Sequence, residues 1–249
     1  MEHFEHPYIK EEFFTKPYRR LIIGTFPPNP ACPERNSELP FFYGNVNSFW
    51  SIIKNTGLYP DYRFNTVEEI IKWLNDHDIA VTDVLKSCSR AQDKICSTFD
   101  ADLIVSNNDL DHRLKEYIER FIGQIEKIYF TSGSESKGSN SAFALFKLLM
   151  GIDFINLHKS KLIRLPSPSG NSNTSLYKGK KERFGLVDEF YNFLYENYPD
   201  AIAFAEETWI QKKKLPKGDK IRRLPVDRAY SAEFKTWFYK KYLHFEKKN

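Results

Sequence analysis

Four short apolar runs constrain this chain most. Each ends in small or acidic polar residues, and helical sequence separates it from the next. They are Arg20–Gly24 (RLIIG), Ile79–Asp83 (IAVTD), 127–131 (KIYFT) and 161–165 (KLIRL). Runs of this length bounded by turn signals read as buried strands. Between them, 48–55 reads as a helix capped by Asn47 or Ser48. Thr66-Val67-Glu68-Glu69 is a capping box that opens a helix running through Trp73 and Leu74. Residues 108–122 place Leu110, Leu114, Ile118 and Phe121 on one face, 141–150 form a helix stopped by Gly151, and 182–196 form another. This alternation predicts an α/β fold. The expected architecture is a three-layer αβα sandwich around a central, mostly parallel four-stranded sheet.

The same runs say where chemistry would sit. In open parallel sheets, ligands bind beyond the carboxyl ends of the strands. Here those ends carry Gly24-Thr25-Phe26-Pro27, Asp83, Thr131-Ser132-Gly133 and the loop Pro166-Ser167-Pro168-Ser169-Gly170-Asn171-Ser172. Prolines keep that loop extended, its glycine permits a sharp turn, and its backbone N–H groups suit phosphate oxygens. Taken alone it reads as a plain Ser/Pro/Gly surface loop, and the other strand ends are what shift it toward a ligand. The stretch 27–43 holds five prolines and is longer than a simple connector needs. The glycines and Lys-Ser/Thr pair of a P-loop are missing.

Bulk properties bound the function. The chain has 249 residues, 41% hydrophobic, with 21 Phe and 14 Tyr. That suits one domain with an appendage: an α/β domain over 1–198 and a basic helical extension over 199–249. No apolar run reaches the about 18 residues of a membrane helix. The N-terminus, MEHFEHPYIKEEFF, does not read as a signal peptide. Cys32, Cys88 and Cys96 are an odd, unpatterned set. They argue against a disulfide framework or a four-cysteine cluster, and for a cytoplasmic setting, a reducing bacterial-type cytosol or nucleoid. Six scattered histidines without HExxH give no metal site. Net charge is +4, but residues 211–249 hold 13 Lys/Arg against 4 Asp/Glu, which leaves −5 on the rest. Such a block neutralises phosphates or is a solvated tail. Within it, 231–245 reads as a helix whose Phe234, Trp237, Phe238 and Tyr242 pack on the body.

In order and spacing these segments resemble the uracil-DNA glycosylase superfamily. Its members carry a glycine-led motif after the first strand and a proline-serine loop after the last. LPSPSGNS (165–172) is similar to the second motif of the mismatch-specific branch. FYGNVNSFW (42–50) and TDVLKSCSRAQD (82–93) are similar to the hypoxanthine-type branch. There a tyrosine-rich segment ends in Asn-x-Phe-Trp, and Asp-Val-Leu-x-Ser-Cys-x-Arg precedes a later Asp. The likeness spans residues 19–196.

The resemblance implies a uracil-DNA glycosylase-like fold and a monofunctional DNA-repair glycosylase, with no cofactor and no metal. It would act as a monomer on double- or single-stranded DNA, flip out a deaminated base (uracil or hypoxanthine) and hydrolyse its N-glycosidic bond. Asn47 would position the water through its amide oxygen, or simply cap the next helix. Asp83 would orient Asn47, hold water, or cap a turn. Phe26 would stack on the base, Gly24, Thr25 and Pro27 would face its edge, Tyr43 would close the pocket, and Ser132 would stand at the base-reading position. Ser167, Pro168, Ser169, Gly170 and Ser172 would grip phosphates, Asn171 would wedge the duplex, and Lys178 would add a backbone contact. Arg90 and Asp93 would pair or steady their loop. Two departures motivate a second expectation, a non-cleaving reader of damaged DNA or nucleobases. Phe26 stands where many members have a water-handling polar residue, and Thr131-Ser132-Gly133 replaces Phe-Asn-Gly. A third expectation, hydrolysis of a small nucleoside or ester, lacks a nucleophile–base motif.

Overall fold

The structure, a computed structural model, describes residues 1–9, 14–29, 31–32, 39–44, 49–134, 138–169, 186–200 and 228–247. An N-terminal strand, β1 (Glu2–Glu5), is followed by β2 (Arg20–Gly24), β3 (Ile79–Asp83), β4 (Ser87–Arg90), β5 (Lys127–Phe130) and β6 (Leu162–Arg164). Strands β3-β2-β5-β6, in that order, make one four-stranded sheet whose pairs are all parallel. β1 and β4 form a separate antiparallel ribbon. Among the described residues the α-helices are α1 (Phe49–Asn55), α2 (Val67–Asp76), α3 (His112–Phe121), α4 (Ala142–Met150), α5 (Ile152–Leu157), α6 (Leu186–Asn197) and α7 (Arg228–Tyr242).

The strands are apolar on both faces, as strands covered on both sides must be. Their side chains alternate between two cores. Ile22, Ile79, Val81 and Tyr129 face Phe49, Trp50, Trp73, Phe190, Phe234 and Tyr239 from α1, α2, α6 and α7. Leu21, Ile23, Ala80, Ile128 and Phe130 face Leu114, Ile118, Phe143 and Phe146 from α3 and α4. Helices on both faces of one parallel sheet are compatible with a three-layer sandwich. The first core is dominated by aromatic rings. Each such ring removes roughly 150–250 Å² from water, about 4–6 kcal/mol of transfer free energy at 25 cal/mol per Å².

The strand order fixes where a ligand would bind. The chain leaves β2 for β3 on one side of it and later returns to β5 on the other. The carboxyl ends of β2 and β5 therefore flank a topological switch point, the place where open α/β sheets leave a crevice.

Local signals explain most element ends. Thr66 Oγ1 accepts from Glu69 N at 3.2 Å, as its capping box predicts, but Glu69 reaches back to Asn65 N at 2.9 Å instead of to the cap residue. Ser141 caps α4, and Gly151, at φ 85°, ends it. The helix expected over 108–122 starts late, at His112. Residues Asn107–Asp109 form a 3-10 turn closed by Ser106, and Asp111 then caps α3. The N-terminal lead-in contains the unexpected β1, placed by its ladder with β4.

The cysteine reading requires a correction. Cys32 and Cys96 are joined in a disulfide, with Cα atoms 5.6 Å apart. The count is odd because Cys88 lies free within the second core. Among the described residues no helix is long and apolar enough to cross a membrane.

Candidate active site

Asp83 ends β3 opposite Gly24 in the ladder. Its Oδ2 accepts from His6 Nε2 at 2.9 Å, and the two side chains are 5% and 0% exposed. The His6 Nδ1 accepts the backbone N–H groups of Tyr8 and Ile9, each at 3.1 Å. Those two donors leave no room for a proton on Nδ1, so the ring is the neutral tautomer protonated on Nε2. The β1–β4 ribbon carries His6 to this place, and His6 N donates to Lys86 O at 2.8 Å.

Asp83 Oδ1 is buried and, among the described residues, accepts no hydrogen bond. It lies over Gly24, where a Cβ would overlap both this oxygen and Tyr43 Oη. The glycine therefore provides room for two polar groups at the end of the central strand. Leaving a buried acceptor unsatisfied costs on the order of 1–3 kcal/mol, more if it is charged. Such an oxygen calls for an explanation, and a catalytic role is one of the few available.

Asp100 stands at the switch point itself. Thr25, just past β2, donates from Oγ1 to Asp100 Oδ2 at 3.2 Å and lies 3.0 Å from Ser132 Oγ, just past β5. The Ser132 hydroxyl also hydrogen-bonds Asp100, and it accepts from Ala142 N, at the start of α4, at 2.8 Å. Burial pushes the Asp100 carboxyl up to about 6. The Ser132 and Thr25 hydroxyls pull the other way, as does the Arg90 guanidinium, while the Asp83 carboxylate adds to the rise. Asp100 as a residue keeps some exposed surface, while its carboxyl is enclosed.

Tyr43 closes the same end of the sheet. Its backbone has φ 56°, an uncommon conformation for a bulky residue, in a turn where Gly44 N donates to Phe41 O at 3.1 Å. Its hydroxyl meets Thr131 Oγ1 at 3.1 Å, and burial, followed by the nearby Asp83 charge, holds it well above the usual phenol range. Phe26 is partly exposed and meets the His6 ring edge-on, centroids 5.2 Å apart.

Beyond β6 the Pro-Ser loop is held from the C-terminal helix. Tyr239 Oη donates to Pro166 O and Lys235 Nζ to Ser169 O, each at 2.8 Å. Lys235 is 3% exposed, and burial lowers its ammonium to about 7. Ser169 N donates to Ser167 Oγ at 3.4 Å, a local turn that also sets Pro168. The basic C-terminal block is thus not simply a solvated face. Lys235 is buried, while Lys241 and Lys247 pair with Glu189 and Asp61 at 3.3 and 3.1 Å.

Comparison with protein-family models, curated proteins and solved structures finds no match for this chain.

The structure thus gathers Gly24, Thr25, Phe26, Tyr43, Asp83 and Ser132 around one strand-end site, with Pro27 at its edge and Ser167, Pro168 and Ser169 on the β6 side. Asn47, Gly170, Asn171, Ser172 and Lys178 lie outside the described residues. Tyr43 and Phe49, which flank the Asn47 segment in sequence, pack with centroids 5.1 Å apart. The turn-capping alternative for Asp83 is replaced by the contact with His6. Arg90 donates to Ser97 O, and Asp93 is exposed in a short helical turn. The aspartate that reaches the site from this region is Asp100. Sequence reasoning missed His6, Asp100, Lys235 and Tyr239. Only the lysine-aromatic spacing of the last helix hinted at any of them. Among the described residues, no group of three or more His, Cys, Asp or Glu side chains is placed to hold a metal ion.

Proposed function

We propose that this chain is a DNA-repair glycosylase of the uracil-DNA glycosylase type, hydrolysing the N-glycosidic bond of a deaminated base, uracil or hypoxanthine. The observation that carries this reading is the buried, unsatisfied Oδ1 of Asp83 at the end of the central sheet, with its partner oxygen fixed by neutral His6. A carboxylate oxygen held in place and lacking a partner is suited to take a proton from an attacking water. The ordered motifs Gly24-Thr25-Phe26-Pro27, FYGNVNSFW and LPSPSGNS support the choice of substrate.

In this mechanism the flipped base enters at the switch point. Phe26 offers a ring for stacking, worth on the order of 1–3 kcal/mol per base. The Ser167 and Ser169 hydroxyls would grip the phosphates, and Lys235 and Tyr239 keep that loop in place. Asp83 Oδ1 receives the proton of the water that attacks C1′. Asn47 would orient the same water through its amide oxygen, without titrating.

The test is alkaline strand scission on matched oligonucleotides carrying uracil, hypoxanthine, xanthine or a G·T mismatch, with wild type and Asn47→Ala. Scission at one deaminated base supports the reading, and its loss in the variant assigns Asn47. DNA binding without scission at any base moves the assignment to a non-cleaving reader on the same fold.

A further inference from the structure

Asp100 belongs to none of the motifs that suggest a glycosylase, yet it occupies the centre of the switch point. We propose that Asp100 is a second catalytic carboxyl group, which hands its proton to the departing base while Asp83 draws one from the attacking water. The inference rests on the glycosylase reading above.

The geometry separates the two carboxyl groups by environment. Asp83 sits at the end of β3, bonded by a neutral imidazole, with one oxygen left over. Asp100 sits between the ends of β2 and β5, bonded by the hydroxyls of Thr25 and Ser132. Two carboxyl groups in one site whose surroundings drive them apart divide into an acid and a base. Asp100 is the acid: its carboxyl is enclosed at the switch point between Thr25 and Ser132, away from the Asp83–His6 pair, and that burial raises it to about 6. Among the described residues the charged groups that act on it are Asp83 on β3, which raises it, and Arg90 on β4, which lowers it. Tyr43 is a neutral phenol in the turn before α1, and His6 is engaged by Asp83.

The step balances. The C1′–N bond breaks and its electron pair moves to the base. The base takes the Asp100 proton on a ring nitrogen or carbonyl oxygen and leaves neutral. The water oxygen bonds C1′, and its proton goes to Asp83 Oδ1. Exchange with solvent then restores both carboxyl groups.

The experiment is single-turnover base release from oligonucleotides carrying uracil, 5-fluorouracil or hypoxanthine, between pH 5 and 8.5, for wild type and Asp100→Asn. Wild type is expected to slow tenfold per pH unit above about 6 on uracil and hypoxanthine, as the acid form is lost. The limb should weaken on 5-fluorouracil, which leaves more readily as an anion. Asp100→Asn should lose on the order of 10²–10⁴-fold on uracil or hypoxanthine, less on 5-fluorouracil, and show no limb. A wild-type profile flat above pH 6, or identical on uracil and 5-fluorouracil, overturns the role without needing a folded variant. So does an Asp100→Asn protein that keeps the rate and the limb. Those outcomes leave the glycosylase reading standing. Folded wild type that releases none of the bases sinks both.

Discussion

Replacing Lys235 with Met should change not only the stability of this protein but how stability depends on pH. In the folded chain burial brings the Lys235 ammonium from its usual 10.5 to about 7. Between those two values the unfolded chain binds one more proton than the folded chain at this site, so folding grows more favourable as pH rises through the window. The slope is about 1.4 kcal/mol per pH unit, and the full difference between the two values corresponds to about 5 kcal/mol. Against this, Lys235 Nζ donates to Ser169 O, a bond that Met cannot make, worth about 1.5–3 kcal/mol while the group is charged and about 0.5–1.5 kcal/mol once it is neutral. Urea unfolding followed by tryptophan fluorescence at pH 6, 8 and 9.5 separates the effects. From pH 8 to 9.5, wild type should gain about 2 kcal/mol relative to Lys235→Met. The buried tyrosines Tyr59 and Tyr117, whose hydroxyls are raised by burial and titrate near 10 once unfolded, are common to both proteins and cancel in the comparison. A stability difference that stays constant across the three pH values would refute the buried-lysine clamp on the Pro-Ser loop.

Two further perturbations address the site's frame. Gly24→Ala puts a methyl group onto Asp83 Oδ1 and Tyr43 Oη, in a strand paired on both sides. It should cost about 1–3 kcal/mol in thermal unfolding and lower base release far more than that loss explains. Reducing Cys32–Cys96, or replacing both with Ser, opens a span of 64 residues and should lower stability by up to about 4 kcal/mol on the chain-entropy account. Denaturation with and without a reductant reads this directly, and an unchanged midpoint would contradict it.

What could be read from the sequence is what local chemistry determines. The runs RLIIG and IAVTD became β2 and β3 with the expected bounds, because apolar sequence ending at Gly or Asp both fills a buried parallel strand and stops it. The convergence of Gly24, Asp83 and Ser132 followed from parallel connectivity alone. What stayed hidden depends on distant partners. Glu2–Glu5 has no strand pattern of its own and is extended because β4 pairs with it. His6 consequently meets a carboxylate 77 residues away. Asp100 arrives through two short 3-10 turns that leave no periodic trace, and Asp93 stood nearer to the expected motif. The disulfide joins the segment after β2 to the segment after β4 at a separation that no spacing rule covers. Lys235 looked like one more member of a basic face, yet it is buried beneath the loop it holds.

In the proposed mechanism the strand-end carboxylate of Asp83 works on water during base release. Direct chromatographic detection of free uracil or hypoxanthine, under single turnover with Asp83→Asn, tests it most closely. The substitution keeps the shape of the side chain and an acceptor for His6 Nε2, but removes the ability to take a proton. Wild type should release base and the variant should lose on the order of 10²–10⁴-fold, with DNA affinity and unfolding temperature nearly unchanged. A variant that releases base at the wild-type rate, or a folded wild type that releases none, would contradict it.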